Sequence, residues 1–238
     1  MVGDGANTMS EINVPSMMDF RDAVERIVDH RNQVLIKFLY LSAARVSEVV
    51  TRVGKYDRDH LQSWNYGSYM GWSLPEFHVT KTKIEKVLLM KMAVAKRKVK
   101  QRKGEDDPEG TRRVVYKMIA LPTTPKYEPW TGSLLKHIEH HGNLNFDLSR
   151  QMVWAIVTRE LHQLDPHIHT HSLRHYRISH LVENYNLDPF DLTAIAGWTF
   201  KTTLSAMGQG GASGQLDTYL HLAWRRYFAK LLVPLPED

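Results

Sequence analysis

Apolar residues recur every three to four positions along most of the chain, and this period predicts a mostly helical protein. Pro15-Ser16 is expected to open a first helix in which Val24, Ile27 and Val28 share a face, and a second apolar helix follows over 34–39. Further helices are predicted at these segments: 130–141, closed by Gly142; 147–161, capped by Asp147; 169–185; and 216–232. Asp188-Pro189 is expected to start a short segment that runs to Trp198.

Two stretches break this period and mix β-branched, apolar and basic residues. They run over 87–99 and 112–121, and the segment between them, 104–110, is rich in turn-forming and acidic residues. The pattern is typical of a long β-hairpin with an acidic tip. The sequence therefore predicts a mainly α fold with a small antiparallel β-sheet (α+β) over residues 15–238, after a flexible leader at residues 1–14.

Composition narrows the classes of chemistry open to the chain. It contains no cysteine, which excludes disulfides, cysteine-bound zinc and thiol nucleophiles and agrees with a cytoplasmic setting. No apolar stretch is long enough to cross a bilayer, and the first residues lack the pattern of a secretory signal. We therefore expect an intracellular protein without membrane contacts.

Positive charge is concentrated in the predicted hairpin. The formal net charge is +5, and basic residues dominate 81–103, where apolar residues interrupt them as in an ordered strand. Lys96, Lys98 and Lys100 fall on one face by the two-residue period of a strand. Such a strand suits the phosphate backbone of DNA. We expect DNA contacts from these residues: Lys100, Arg102, Lys103, Arg112, Arg113 and Arg177.

The stretch from His169 to Arg177 carries the densest candidate chemistry. Thr170 is expected to cap its helix, and His171 and Arg174, three positions apart, then lie on one face. An imidazole that moves a proton beside a guanidinium that grips two oxygens of an anion suits phosphate chemistry. The alternative is that both residues belong to an ordinary solvated helix face.

A second arginine has a partner close by in the sequence. Arg45 and Glu48 fall one helical turn apart, so that the carboxylate can orient the guanidinium. Ala43 and Ala44 before them allow a close turn of the backbone. The alternative is a surface ion pair, which stabilises a helix by at most about 0.5 kcal/mol.

Four motifs, taken in order, resemble those of the tyrosine recombinase (phage integrase) family. They are Ala44-Arg45-Val46-Ser47-Glu48, His171-Ser172-Leu173-Arg174-His175, Ala196-Gly197-Trp198 and Thr218-Tyr219-Leu220-His221. The basic hairpin lies between the first and second motifs. The resemblance extends from Ser16 to the end of the chain and gives the Arg45–Glu48 pair a role.

The resemblance implies the catalytic-domain fold of that family and its catalytic roles. Two arginines would clamp the scissile phosphate, a glutamate would hold the first arginine, and a tyrosine would be the nucleophile. A histidine and a lysine would move protons, and a tryptophan stands where most members have histidine. In this chain the residues are Arg45, Arg174, Glu48, Tyr219, His171, Trp198 and a hairpin lysine, for which Lys96 and Lys98 rank ahead of Lys100.

The implied activity is site-specific recombination or integration. Strands of double-stranded DNA would be cut and rejoined through a 3′-phosphotyrosine, without metal, ATP or another cofactor. The implied assembly is a homo-oligomer, a tetramer on DNA and a monomer without it. The N-terminal domain with which relatives complete a clamp around DNA is expected to be absent. The setting would be a mobile element, as in an integrase of an archaeal virus or plasmid.

Three alternatives stay open at this stage. A type IB topoisomerase uses similar residues to relax supercoils, and a DNA-binding module would use the basic strand without chemistry. A metal-dependent hydrolase would use His167, His169 and His171 as ligands. Within the recombinase interpretation, the interval before Tyr219 is longer than in most relatives and includes the glycine-rich stretch 207–214, which favours regulated or trans delivery of Tyr219.

Overall fold

The computed structural model describes residues 13–50, 75–94, 116–198 and 224–235. Within these ranges the helices are α1 (Met17–Glu25), α2 (His30–Leu41), α3 (Val46–Val49), α4 (Trp130–His141), α5 (Arg150–Leu161), α6 (Thr170–Tyr185), α7 (Pro189–Ala196) and α8 (Trp224–Phe228), followed by a 3₁₀ turn (Ala229–Leu231). The strands are β1 (Glu76–Lys81), β2 (Lys86–Ala93) and β3 (Tyr116–Pro122). The predicted α+β class is therefore confirmed.

Two predicted helix ends, at Ser16 and Gly142, are confirmed by their local geometry, and the short segment predicted to start at Asp188 is a helix. The Ser16 hydroxyl accepts a backbone N–H at the start of α1, and the Asp188 carboxylate accepts two at the start of α7. Each satisfies amide hydrogens that have no partner inside the helix. At the end of α4, Gly142 adopts a φ of 73°, the left-handed conformation that commonly closes a helix.

Other details of the helix predictions are wrong. The cap of α5 is Ser149, because Asp147 adopts a φ of 46° and stands outside the helix. The cap of α6 is His169, and Thr170 is already the first helical residue. Val28 does not share the buried face of α1; it lies in the connection to α2 and is 97 % exposed. Each error lies within three residues of a helix end.

The three strands form one antiparallel sheet in the order β1-β2-β3. Val87 lies opposite Pro122 and Ala93 opposite Tyr116, so the strands of the predicted hairpin pair as expected, and its connection over 95–115 lies outside the described residues. Strand β1 is not predicted from the sequence. It is an edge strand with mostly exposed positions, and it therefore lacks a continuous apolar run.

An aromatic cluster joins four helices around α2. The Phe20 ring lies 4.6 Å from the Tyr40 ring and 5.8 Å from the Tyr176 ring, and Tyr40 lies 5.6 Å from Trp130, all between ring centres. These rings come from α1, α2, α6 and α4, and all four are almost fully buried. Aromatic contacts of this kind add to the free energy gained from burying apolar area. The cluster holds α2 against α6.

Two predictions for the chain ends fall largely outside the described residues. Residues 1–12 of the predicted leader lie there, and so does the part of the last predicted helix that precedes Trp224. In the ranges that the structure describes, no helix combines the length and the apolar character needed to span a membrane.

Candidate active site

The carboxylate of Glu48 is the centre of a buried cluster of cations. Its Oε1 accepts from Arg45 Nη1 at 3.0 Å, and its Oε2 lies 3.1 Å from Lys117 Nζ. Oε2 also accepts from the backbone N–H of Arg45 at 3.1 Å. Burial alone would raise the pKa of Glu48, but the charges of Lys117, Arg174 and Arg45 outweigh it and hold that pKa below its ordinary value. Glu48 is therefore ionised at neutral pH.

Arg174 lies beside this cluster and is anchored to the backbone of two distant segments. Its Nη1 donates to the Ala43 carbonyl at 2.5 Å, from 131 positions away in the chain, and its Nη2 donates to the Ala196 carbonyl at 2.8 Å. The side chain is buried, and burial lowers its pKa to about 10 although the Glu48 charge opposes this. Each terminal nitrogen carries a second hydrogen, so Arg174 keeps donors beyond these two bonds.

A tight turn between α2 and α3 makes this arrangement possible. Ala43 adopts a φ of 45°, which few non-glycine residues adopt, and the turn directs its carbonyl to Arg174. Arg45, two residues after Ala43, is the N-cap of α3, so its side chain lies next to Glu48 one turn later. The predicted Arg45–Glu48 pair is confirmed, with the Glu48 side chain buried and the Arg45 side chain 26 % exposed.

Lys117 is a member of the cluster that the sequence interpretation missed. It lies on β3, is almost fully buried, and donates to the Ser42 carbonyl at 3.1 Å in addition to its contact with Glu48. Burial lowers its pKa to about 8, against the opposing effect of Glu48. A signal was present in the sequence: in the two-residue period of β3, Lys117 shares a face with Ile119 and Leu121, which are both buried.

Trp198 approaches the cluster from the end of α7. The Arg174 guanidinium carbon lies 5.8 Å from the centre of the indole ring, within the range of a cation–π contact. Gly197 before it adopts a φ of 66°, and a Cβ there would lie 2.9 Å from Val94 and 3.3 Å from Lys117. A side chain at position 197 would therefore be strained and would press on the lysine that neutralises Glu48.

His171 stands at the open edge of the site, near the start of α6. Its ring is exposed on one side and lies 4.5 Å, centre to centre, from the ring of His175. Partial loss of hydration is the largest cause that lowers the pKa of His171 to about 4, and the charges of His175, Arg174, His169 and Arg45 add to it. The imidazole is therefore neutral at pH 7 and can accept a proton.

We expect NMR titration of the folded protein to give His171 a pKa of about 4. In urea the same residue should titrate near the ordinary value of about 6.5. Because the folded pKa is the lower one, the linked stability is present above pH 6.5 and is lost as the pH falls towards 4. A folded-state pKa above 6 would contradict the proposed surroundings of the ring.

These residues border a cleft that opens to solvent. Arg45, at the start of α3, and His171, on α6, lie in its wall, and none of the described residues that line it is acidic. The lining residues are Arg45, Val46, Ser47, Arg150, Thr170 and His171. Arginine, hydroxyl and neutral imidazole groups donate hydrogen bonds to anions, so the cleft is suited to an anionic ligand.

Arg177, predicted to contact DNA, lies elsewhere, and that prediction is corrected. Its side chain is buried, with Nη1 3.9 Å from Glu128 and the guanidinium 5.1 Å from the Tyr40 ring centre. Arg21 approaches the same Glu128 carboxylate to 2.8 Å. Arg177 therefore belongs to a second buried ion cluster inside the fold, which agrees with a structural role.

Several predicted site residues lie outside the described residues. They are Lys96, Lys98, Lys100, Arg102, Lys103, Arg112, Arg113 and Tyr219. The proposed nucleophile, the proton-donating lysine and most predicted DNA contacts therefore stay predictions from the sequence.

One of the three histidines that the metal-hydrolase alternative needs as ligands has a structural role instead. His169 Nδ1 accepts from the Ser172 N–H at 3.2 Å, as the cap of α6. In the described ranges, no group of three or more His, Asp or Glu residues is placed to hold a metal ion.

No protein-family model, no curated protein and no solved structure matches this chain. The assignment of a function therefore depends on the four motifs and on the arrangement of the residues around Glu48 and the cleft.

Proposed function

We propose that the protein is a DNA strand transferase of the tyrosine recombinase type, which cuts and rejoins double-stranded DNA through a 3′-phosphotyrosine on Tyr219. One observation carries the proposal. Arg45 and Arg174 come from distant parts of the sequence, and the charges of both act on one buried carboxylate, Glu48, beside a cleft that Arg45 and His171 line. This is the set of residues that the first two motifs single out.

The arrangement fits the demands of phosphoryl transfer. Negative charge is spread over the nonbridging oxygens in the transition state, and donors fixed before the reaction stabilise that charge without reorganising. Arg45 is fixed by Glu48, and Arg174 is fixed by two backbone carbonyls while the Glu48 charge acts on it. Glu48, Lys117 and both arginines carry a net positive charge, so an anion in the cleft would be attracted.

Residues of this chain can account for both proton transfers of the cleavage step. The phenol oxygen of Tyr219 attacks phosphorus, and the bond between phosphorus and the 5′ oxygen breaks. A tyrosine has an ordinary pKa of about 10, so the phenol must give up its proton during attack, and neutral His171 or a nearby water accepts it. The leaving 5′ oxygen takes a proton from a hairpin lysine, Lys96 or Lys98.

Lys117 is given a supporting role in this scheme. Its ammonium is enclosed between Glu48 and the Ser42 carbonyl. There it neutralises the carboxylate that positions Arg45. A proton donor must instead reach the leaving oxygen, so we assign that role to a hairpin lysine and not to Lys117. Trp198 does not exchange protons; its ring packs against Arg174 and restricts the movement of that side chain.

The test is to trap the covalent intermediate. The protein is incubated with a pool of nicked duplexes of randomised sequence, from which the cleaved fragment diffuses away and cannot be rejoined. After digestion, mass spectrometry identifies the peptide that carries the nucleotide. We expect a phosphodiester on Tyr219, formed equally well in a chelator. Cleaved DNA without an attached peptide, or attachment to another residue, would overturn the proposal.

A second assay separates recombination from the topoisomerase alternative. Recombination requires that strands be exchanged between two duplexes, whereas a type IB topoisomerase relaxes a supercoiled plasmid without exchange. We expect labelled strands of the cleaved duplex to be joined to strands of a second duplex. Relaxation with no joined product would assign the topoisomerase activity instead.

Replacing Arg174 by lysine should lower the rate of adduct formation by about 10²–10³-fold, the typical loss for one transition-state donor group. Lysine keeps the charge but loses the planar fork that reaches both backbone carbonyls and an anion. Single-turnover adduct formation measures the rate, at a temperature where both proteins are folded. Arg159→Lys, at a side chain 67 % exposed, is the matched control. Equal rates for both variants would contradict the role of Arg174.

A further inference from the structure

We infer that the second buried ion cluster, formed by Arg21, Glu128 and Arg177, binds one small monovalent anion of the size of chloride between its two guanidiniums. None of these three residues belongs to the four motifs or lines the cleft described above. The inference therefore goes beyond the proposed function and does not depend on it.

The charges of this cluster do not balance. Arg21 Nη2 donates to both carboxylate oxygens of Glu128, at 3.0 and 2.8 Å, whereas Arg177 Nη1 lies 3.9 Å from Oε2, too far for a hydrogen bond. Two guanidiniums therefore share one carboxylate, and one positive charge is left over. The three side chains are at most 5 % exposed. A buried charge without a counter-charge is strongly destabilising, which favours a bound anion.

The neighbouring titratable side chains do not supply the missing negative charge. They are Tyr40, His180, Tyr185 and Tyr227. Burial raises the pKa of each of the three tyrosines, so their phenols are neutral at pH 7, and burial lowers the pKa of His180, so its imidazole is neutral as well. Among the described residues, Glu128 is the one carboxylate within ion-pair distance of either arginine.

Both guanidiniums also have donors that no described residue uses. The Nε and Nη1 atoms of Arg21 and of Arg177 are buried and have no hydrogen-bond partner in this part of the chain. A ring covers one face of each guanidinium: Trp130 lies 4.4 Å from that of Arg21, and Tyr40 lies 5.1 Å from that of Arg177, measured to the ring centres. The N–H groups point outward in the guanidinium plane, so an anion binds at the edges. Buried donors in native proteins are nearly always satisfied, by protein, water or ions.

The surroundings determine the class of anion. The excess is one positive charge, which a monovalent anion neutralises and a water molecule does not. The arginines, Glu128 and the rings of Tyr40 and Trp130 are all almost fully buried, which favours a halide over an organic phosphate or carboxylate. Arg21 lies on α1, Arg177 on α6, and Glu128 directly before α4. The anion therefore joins three helices at the centre of the fold.

Thermal melting in mixtures of sodium chloride and sodium gluconate at constant ionic strength tests the inference. Gluconate is an organic anion too large for a site of this kind. Chloride binds the folded protein, so we expect the melting temperature to rise by about 3–5 °C for each tenfold increase in chloride above its dissociation constant. Arg177→Met removes the excess charge and keeps an unbranched chain, and its melting temperature should not depend on chloride.

Arg159→Met is the matched control, because it removes the same charge at a side chain that is 67 % exposed. It should respond to chloride as the wild-type protein does. No chloride response in the wild-type protein, or an equal response in Arg177→Met, would overturn the inference.

Anomalous scattering from wild-type crystals grown in sodium bromide decides the question if Arg177→Met does not fold. We expect a bromide ion within hydrogen-bond distance of Arg21 and Arg177. An ordered water at that position, which bromide does not replace, would show that hydration alone satisfies the donors and would overturn the inference.

Discussion

Replacing Glu48 by glutamine is expected to destabilise the folded protein by about 3–5 kcal/mol, the usual cost of removing one partner from a buried ion pair. Glutamine has nearly the same shape, so the loss is electrostatic. Lys117 and Arg174 would keep their buried charges, and the carboxylate that compensates them would be gone. Urea unfolding at pH 7 measures the change in the free energy of unfolding.

A double-mutant cycle tests whether the loss of stability in Glu48→Gln arises from the uncompensated charge of Lys117. Lys117→Met removes the opposite charge and keeps an apolar chain of similar length on the same face of β3. We expect the double variant Glu48→Gln/Lys117→Met to be more stable than the sum of the single changes predicts, by at least about 1 kcal/mol, as for other residues in direct contact. A cost below about 1 kcal/mol for Glu48→Gln would contradict the buried cluster.

Lowering the pH is expected to reduce the stability of the folded protein through the same carboxylate. The pKa of Glu48 is held below its ordinary value in the folded protein, so its contribution to stability is present at neutral pH. That contribution is lost as the pH falls below the pKa of the unfolded chain towards the folded value. Glu48→Gln should lack this part of the acid dependence, since an amide does not titrate in this range.

Features that depend on nearby residues could be predicted from the sequence. Ser16 and Asp188 cap their helices, Gly142 closes α4, and Arg45 pairs with Glu48 three residues on. In each case the physical cause lies within one helical turn, where the sequence itself sets the distance between the groups. The exception at α6 is instructive: Thr170 is the preferred type of cap, yet His169 takes that position.

Features that depend on distant partners could not be predicted. Arg174 and Arg177 lie three positions apart on α6 and both are buried, yet one reaches the Glu48 cluster and the other reaches Glu128. Local sequence does not distinguish them without the motif. The period of β3 places Lys117 on the buried face, but its role was missed because a lysine is buried only where a carboxylate compensates it, and that carboxylate is distant in the sequence.

Replacing Tyr219 by phenylalanine is expected to abolish covalent adduct formation and leave DNA affinity within about twofold. The exchange removes one oxygen, which is the proposed nucleophile, and keeps the ring. Two tyrosines of the described residues have hydroxyl groups that are already hydrogen-bonded: Tyr176 donates to Asp165 at 2.7 Å, and Tyr227 to the Met118 carbonyl at 2.9 Å. Burial and Asp165 raise the pKa of Tyr176 well above its ordinary value, which makes it a poor nucleophile.

Tyr176→Phe is therefore the matched control for this prediction. It removes the same oxygen from a tyrosine two positions after Arg174, at a stability cost of about 1 kcal/mol for one hydrogen bond. The control should form the adduct at nearly the wild-type rate once both proteins are compared below their melting temperatures. An adduct that persists in Tyr219→Phe and disappears in Tyr176→Phe would place the nucleophile on α6. An adduct that persists in both would require a nucleophile other than these two tyrosines, and Tyr219 would lose its proposed role.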